Sequence, residues 1–406
     1  MRITTAAAFQ KSVSNLQERQ QKLHETQEHI GAQKRVLRAS DDPVAAARAE
    51  RARGQIASSE AQQRSLQASR NAMTQAESTL GNAGELLTDA YTALMSAGNG
   101  AFDDANRATV AQTLQNLRDQ LLVLANREDG SGNYIFGGQG ASTPPFMMDG
   151  AGKVSFKGDR GEQATAGAEA LPLTLDGAAA WVNAADGNGF FKTTNTNSTT
   201  AYSDGGRVTD PKTFFDQTSP PPNYKVQFST ASGALTYTVF KDTLPMPDAT
   251  DKPWAGGSTA KAVEFDGMSF SIGGLPADGD VFEVRLSQPQ HNVFETLDKA
   301  IQELRTPGRT SAQLSQTIQD GLAGISRSSD VLSALRSRVG EALVHIDQVE
   351  VRNDAAKYQA QVVRSEAEDL DPVAALAELQ LQSTNYDIAL KTYSMVQKLS
   401  IFNHIG

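Results

Sequence analysis

His24 and His29 bracket the run H-E-T-Q-E-H. It is one residue longer than the H-E-x-x-H spacing by which a helix offers zinc two imidazoles and a general-base carboxylate. Residues five apart do not share a helix face well, so the run reads as a solvated surface. The remaining histidines are His291, His345 and His404, and the chain has no cysteine. His345 and His404 fall on predicted helices, in packing or solvated roles, and His291 lies at a predicted domain border. Zero Cys excludes disulfides, thiolate metal sites and a Cys nucleophile. Gly137-Gly138-Gln139-Gly140 lacks both the G-x-G-x-x-G spacing and the Lys-Ser/Thr of a phosphate cradle. Asp41 and Asp42 form a carboxylate pair, but they stand before Pro43, which is a helix-capping arrangement. Asn197-Ser198-Thr199 fits a glycosylation acceptor by pattern only. Other acids show no hydrolase or calcium spacing. No residue set here points to catalysis, and the expectation is a non-enzyme without cofactor or metal.

The elements around these residues are more informative. The 406 residues suffice for about two to four domains. A net charge of -10 argues against a basic nucleic-acid footprint. There is no apolar run near the ~18 residues of a membrane span. The first twenty residues lack the apolar core of a cleaved secretory signal. The expectation is residence in the cytoplasm or export without a cleaved signal. Residues 140–290 hold twelve of the fifteen prolines and sixteen of the twenty-six aromatics. The flanks are rich in Ala, Gln, Leu, Arg and Glu. One β-type domain is therefore inserted between two helix-forming arms.

The arms carry seven-residue repeats. Phe9, Leu16, Leu23, Ile30 and Leu37 form a narrow row whose companions are half polar. Leu66, Met73, Leu80, Leu87 and Leu94 repeat beside the small Ser69, Ala76, Ala83, Ala90 and Ala97. In the C-terminal arm Ile325, Leu332, Val339 and Ile346 form one row. Leu335, Ala342, Val349, Ala356, Val363 and Leu370 form the next. Sustained heptads predict long helices packed in coiled-coil fashion. Asp42-Pro43 and Asp371-Pro372 interrupt the arms. In each, Asp can cap a helix and Pro can occupy its first position. Each terminal segment is then a separate helix, and the near-symmetry pairs the two. The last helix, Val373 to about His404, is apolar on two rows. One contains Leu376, Leu379, Tyr386, Leu390 and Tyr393, and the other Leu381, Ile388, Met395 and Phe402. One partner helix cannot cover both rows.

In the insert, Tyr224–Phe228 and Leu235–Phe240 flank Ser232-Gly233 as a predicted hairpin. Ala262–Ile272 and Val281–Leu286 read as further strands, and Thr193–Thr200 and Pro220-Pro221-Pro222 as exposed loops.

Several runs together resemble the flagellin superfamily, and within it the hook-associated protein 3 family of the hook–filament junction. They are Met1-Arg2-Ile3-Thr4, Lys34 to Pro43 closing with Ser40-Asp41-Asp42-Pro43, and Asn133-Tyr134-Ile135-Phe136-Gly137-Gly138 followed by Thr143-Pro144-Pro145-Phe146. The tail from Asn385 to Phe402 is similar in character. The resemblance covers about residues 1–146 and 290–406 and leaves the insert aside. It implies an elongated antiparallel coiled-coil rod built from both chain ends. Residues 1–42 with 371–406 are the terminal helices, 43–139 with 290–370 the helical rod, and 140–289 the β insert.

The resemblance also implies a structural role in a junction ring. Its partners would be other copies, the first hook-associated junction protein, flagellin and an export chaperone. The location would be the extracellular flagellum, reached by type III export. Phe9, Leu16, Leu23, Ile30, Leu381, Ile388, Met395 and Phe402 are the expected assembly residues. Asp42, Pro43, Asp371 and Pro372 are the expected joints, and Phe136, Gly137 and Gly138 lead into the insert. Two other functions fit parts of the pattern. One is flagellin itself. The other is a glycan-binding or hydrolytic module on a helical stalk, if Trp181, Phe190, Phe191, Tyr202 and Trp254 are exposed; the favoured reading places these aromatics in the β core.

Overall fold

The computed structural model describes residues 5–130, 132–140, 142–166, 169–216, 222–255 and 259–402. The N-terminal arm is α1 (Thr5–Ala32), α2 (Pro43–Ala97) and α3 (Asp104–Ala125). Strands β1 (Phe146–Met148), β2 (Val154–Phe156), β3 (Ala184–Ala185), β4 (Phe191–Asn195), β5 (Ala201–Ser203) and β6 (Arg207–Val208) lead to the short α4 (Pro211–Phe215). Then come β7 (Tyr224–Ser229), β8 (Thr236–Lys241), β9 (Leu244–Pro245), β10 (Lys252–Pro253), β11 (Lys261–Phe265), β12 (Met268–Gly274), β13 (Val281–Leu286) and β14 (Pro289–His291). The chain ends in α5 (Val293–Arg305), α6 (Ser311–Glu368) and α7 (Pro372–Phe402). The expected class, helical ends around a β-rich middle, is what the chain adopts. It forms two compact units, Met1–Arg64 with Gln348–Gly406, and Ser65–Asp347. Helices α2 and α6 contribute residues to both.

Within the second unit the heptads are core. Leu66, Met73, Leu80, Leu87 and Leu94 are buried, and so are their small companions Ser69, Ala76, Ala83, Ala90 and Ala97. On α6, Ile325, Leu332, Val339 and Ile346 are buried too. The expected second α6 row holds in part, with Ala342, Val363 and Leu370 half-buried. Leu335 and Val349 are buried, but Ala356 is exposed. In the first unit the first row continues instead, through Asn353, Ala360 and Ala367. At these three positions the buried side chains are Asn and Ala rather than branched.

Helix α3 packs on α5, and the buried Arg118 fastens them. Its guanidinium reaches Asp298 at 3.0 Å and donates to the Gly152 carbonyl at 2.6 Å. The charge is buried, but it is both paired and hydrogen-bonded, which makes the burial tolerable.

The insert is antiparallel. One sheet runs β10–β8–β7–β13–β4 with β9 on β8, and another runs β11–β12–β5 with β6 also on β12. Strand pairs β1–β2 and β3–β14 are separate ladders. Alternate residues such as Tyr224, Val226 and Phe228 point into one core with Phe270 and Phe282. The β7–β8 hairpin is as expected. The predicted strand Ala262–Ile272 is two strands, β11 and β12, turned at Asp266-Gly267 with φ of 42° and 76°. Two consecutive positive φ values form a tight hairpin turn, and Asp-Gly is its sequence signal. The predicted loop Thr193–Thr200 is also partly strand. Thr193 to Asn195 lie in β4, and Thr193 and Ser198 are buried. Pro220 and Pro221 lie outside the described residues. The Asn197 side chain donates to the Gly279 carbonyl and accepts from the Val281 N–H, so its amide is already engaged.

Trp181, Phe191 and Trp254 are buried, Tyr202 is half-buried, and Phe190 alone of those five aromatics is exposed.

His291 closes the insert against α6, its Nε2 2.7 Å from the Ser328 hydroxyl. Burial pushes its pKa down to about 4, and Arg327 and Lys192 act the same way. The unfolded chain binds a proton below about 6.5, where the folded imidazole is still neutral. Stability is therefore full above that pH. It falls as pH drops toward 4, by about 3 kcal/mol for this group alone. Chemical denaturation of His291→Gln at pH 7 and pH 4.5 should show a flatter pH dependence than the parent chain.

Candidate assembly interface and its joint

Helices α1 and α7 pack on each other within the first unit. The rings of Phe9 and Tyr393 are 5.6 Å apart at one end, while Lys34 bridges Asp369 at the other. The pair is antiparallel. Leu16, Leu23 and Ile30 are half-buried, and Phe9 is 44% exposed. On α7, Leu379, Tyr386 and Tyr393 are half-buried at seven-residue spacing. Leu376 and Leu390, expected in that row, are exposed, because the packed face continues through Ala375, Gln382 and Ala389 and each Leu lies one residue past a member of it.

The other α7 row is uncovered. Leu381, Ile388 and Met395 are 54%, 56% and 57% exposed. Phe402 is the last residue of α7, and its side chain lies outside the described residues. From Gln10 to Gln27 the exposed positions of α1 are polar, among them Gln17, Glu18 and Gln21. The pair thus shows water a polar helix surface and an apolar one.

The two joints are hydrogen-bonded to each other. Arg35 N–H donates to the Glu368 carbonyl at 2.8 Å, and Leu370 N–H donates to the Gln33 carbonyl at 3.2 Å. Asp42 Oδ1 accepts from the Val44 and Ala45 N–H groups, with Pro43 at the first helical position. Asp371 Oδ1 accepts from Val373 and Ala374, with Pro372 placed likewise. The Ala45 N–H and the Arg35 guanidinium hold the Asp42 carboxyl below its usual range. Asp41 accepts from Arg38 and Leu37 N–H groups and is lowered by them too. Asp42 is therefore the cap of α2, whereas Asp41, expected to share that role, closes the turn at Leu37 and Arg38 before it.

His29 ends α1, its Nδ1 2.9 Å from the Lys34 carbonyl, and His24 pairs with Glu28. Among the described residues, no group of three His, Cys, Asp or Glu could hold a metal.

Sequence reasoning missed the centre of the joint. Glu368 is buried, with Lys34 at 3.4 Å, Arg364 at 3.6 Å and Arg53 in direct hydrogen-bond contact. Arg35 adds a 2.7 Å bond to the Ala367 carbonyl. Local sequence carries no signal for this, because Arg53 and Glu368 are 315 residues apart.

In the second unit, the lead-in to the insert is a tight knot. Phe136 is fully buried edge-on to Trp181, at 5.4 Å. Gly137 bridges Asp176. Gly138 has φ of 71°, and an added Cβ would fall 1.5 Å from the Asp159 carbonyl oxygen. Only glycine fits there.

This architecture and its N-terminal sequence define a class. Residues 3–141 match the family model for the bacterial flagellin N-terminal helical region. Among individual proteins, the chain is 35% identical over 150 residues to flagellar hook-associated protein 3 of Salmonella typhimurium. It is 31% identical over 201 residues to that of Escherichia coli. The matched stretches span 46% and 59% of those two proteins, about half their length. A crystal structure of flagellar hook-associated protein 3 from Legionella pneumophila aligns with a TM-score of 0.70 at 25% identity, over 78% of this chain and 98% of that one. The flagellar junction protein of the same organism aligns at 0.67 and 26% identity, over 79% and 100%.

Two substitutions check the local geometry. Asp42→Ala removes a cap and the Arg35 partner, and should cost about 1 kcal/mol of helix stability in chemical denaturation. Gly138→Ala should cost about 3 kcal/mol and expose the Phe136–Trp181 contact, read as a red shift in Trp fluorescence.

Proposed function

We propose that this chain is a non-enzymatic structural component of the bacterial flagellum. It forms a junction ring between the hook-side junction protein and the flagellin filament. The observation that carries this reading is the uncovered row Leu381, Ile388 and Met395 on a helix already paired along its other side. Similarity to hook-associated protein 3 supplies the context. In the proposed organisation, residues 1–42 with 371–406 form the terminal coiled coil, 43–139 with 290–370 the rod, and 140–289 the insert. The Asp-Pro segments are the joints, and Phe136, Gly137 and Gly138 anchor the insert.

The mechanism is folding coupled to assembly. Ordering a helix costs about 1–2 kcal/mol per residue in backbone entropy. Fully burying a Leu, Ile or Met side chain returns about 1.5–3 kcal/mol. A lone α1–α7 pair uses only part of its apolar surface. Neighbouring copies complete the burial at Phe9, Leu16, Leu23, Ile30, Leu381, Ile388, Met395 and Phe402. One end of the ring meets the first junction protein and the other meets flagellin, a head-to-tail contact of the heterologous kind. Before assembly a dedicated chaperone covers the same apolar surface, and the chain leaves the cell unfolded through the flagellar export channel. The buried state of Trp181, Phe191 and Trp254 weighs against a glycan-binding insert. The alternative of a bulk filament subunit differs in outcome. It predicts label along the whole filament, where the junction reading predicts one thin band at the hook tip in immunogold microscopy.

The row itself is tested by Ile388→Glu. Incorporation into hook–filament junctions should fall at least about tenfold, while stability of the free chain stays within about 0.5 kcal/mol, as for a solvent-facing position. Normal incorporation of this variant would remove the row from the interface.

A further inference from the structure

The first unit carries an apolar ridge on α6, away from the terminal helices. Val351 and Tyr358 are 70% and 68% exposed, and the exposed Ala355 lies between them. Successive residues turn about 100° around a helix. The three therefore share one face, turned away from the buried Asn353 and Ala360. Asp354 is exposed and borders that face along one side. Among the described residues it has no charged partner.

On the other side of α6 an open groove of about 420 Å³ runs between α6 and α2. Ala52, Ala356, Ala360 and Val363 line its floor, and Arg48 and Arg51 stand at its rim. Alanines leave there the room that longer side chains would fill. Among the described residues Arg48 has no charged partner, and Arg51 donates to the Ala47 carbonyl of its own helix at 3.2 Å. Two cations thus rim an apolar groove, and one carboxylate borders an apolar ridge. The heights match as well. The α6 residues of the groove run from Ala356 to Val363, and Tyr358 falls within that span. Copies standing side by side with parallel helices bring the ridge of one opposite the groove of the next.

We propose that Tyr358 of one copy seats in the α2–α6 groove of a second copy of this chain, with Asp354 turned toward Arg51. Ridge and groove lie on different sides of α6, so each copy uses both at once. The contact is head-to-tail, and it closes into a ring or continues as a helical array according to the rotation between copies. Tyr and Arg are the residue types in which interface energy concentrates. The contact rests on the assembly from like copies proposed above.

Photo-cross-linking tests it. The full chain carrying p-benzoylphenylalanine in place of Tyr358 keeps an aromatic ring at that position. Irradiated flagellar structures that contain it should give higher-mass species in which residue 358 is joined to the 48–55 peptide of another copy. Arg51→Glu should lower incorporation about tenfold, and Asp354→Arg in the same chain should restore it. Both positions are exposed, so thermal unfolding of the free variants should match the parent chain. Cross-links only to another protein, only to another face, or none at all overturn the proposal. So does an Arg51→Glu chain that incorporates normally, or one that Asp354→Arg fails to restore. A cross-link to 48–55 in chain spread along whole filaments would support the contact and contradict only the junction reading.

Discussion

A helix can give one stripe to one partner, and α7 has two apolar stripes. The stripe of Leu379, Tyr386 and Tyr393 meets α1. The stripe of Leu381, Ile388 and Met395 stays more than half exposed. Everything proposed for the protein depends on that surplus. Alone, the pair buries one of the two stripes; in the proposed assembly neighbouring copies cover the other. The polar outer positions of α1 show that the surplus is one-sided and not a general excess of apolar residues.

The joint has the matching property. Its caps and its backbone bonds fix how α1 leaves α2 and how α7 leaves α6, but the centre is electrostatic. Glu368 is desolvated and surrounded by three cations. Such a cluster is held by geometry more than by apolar area, and the buried carboxylate is tolerated because the cations compensate its desolvation. The second unit is the opposite case. Its Leu, Ile and Met heptads, the Arg118–Asp298 pair and the aromatic contacts of Phe136, Phe146, Trp181 and Phe294 make a closed core.

Much of this was legible because helices write their packing in a fixed period. Leu66 to Leu94 and Ile325 to Ile346 are buried where the spacing placed them. Asp-Pro announced two helix starts for the same local reason. The failures share a cause as well. Ala360 and Ala367 line the packed face through small size, whereas apolar type pointed to Val363 and Leu370. Asp266-Gly267 was a turn signal hidden inside an apolar run. Thr193 to Asn195 read as polar loop, yet β4 needs them for pairing with β13. Arg118, Glu368 and the knot at Gly138 depend on residues distant in sequence, and no local pattern encodes those meetings.

The absence of cysteine gives direct access to the central claim, that the outer row of α7 is covered by neighbouring copies on assembly. Ile388→Cys places one thiol on that row, and Gln17→Cys places one on the polar surface of α1 as a reference. Labelling with a hydrophilic maleimide would be compared between the free chain and chain incorporated into hook–filament junctions. The account predicts rapid labelling of both sites in the free chain and strong protection of position 388 after incorporation. Equal labelling of position 388 before and after incorporation would contradict it.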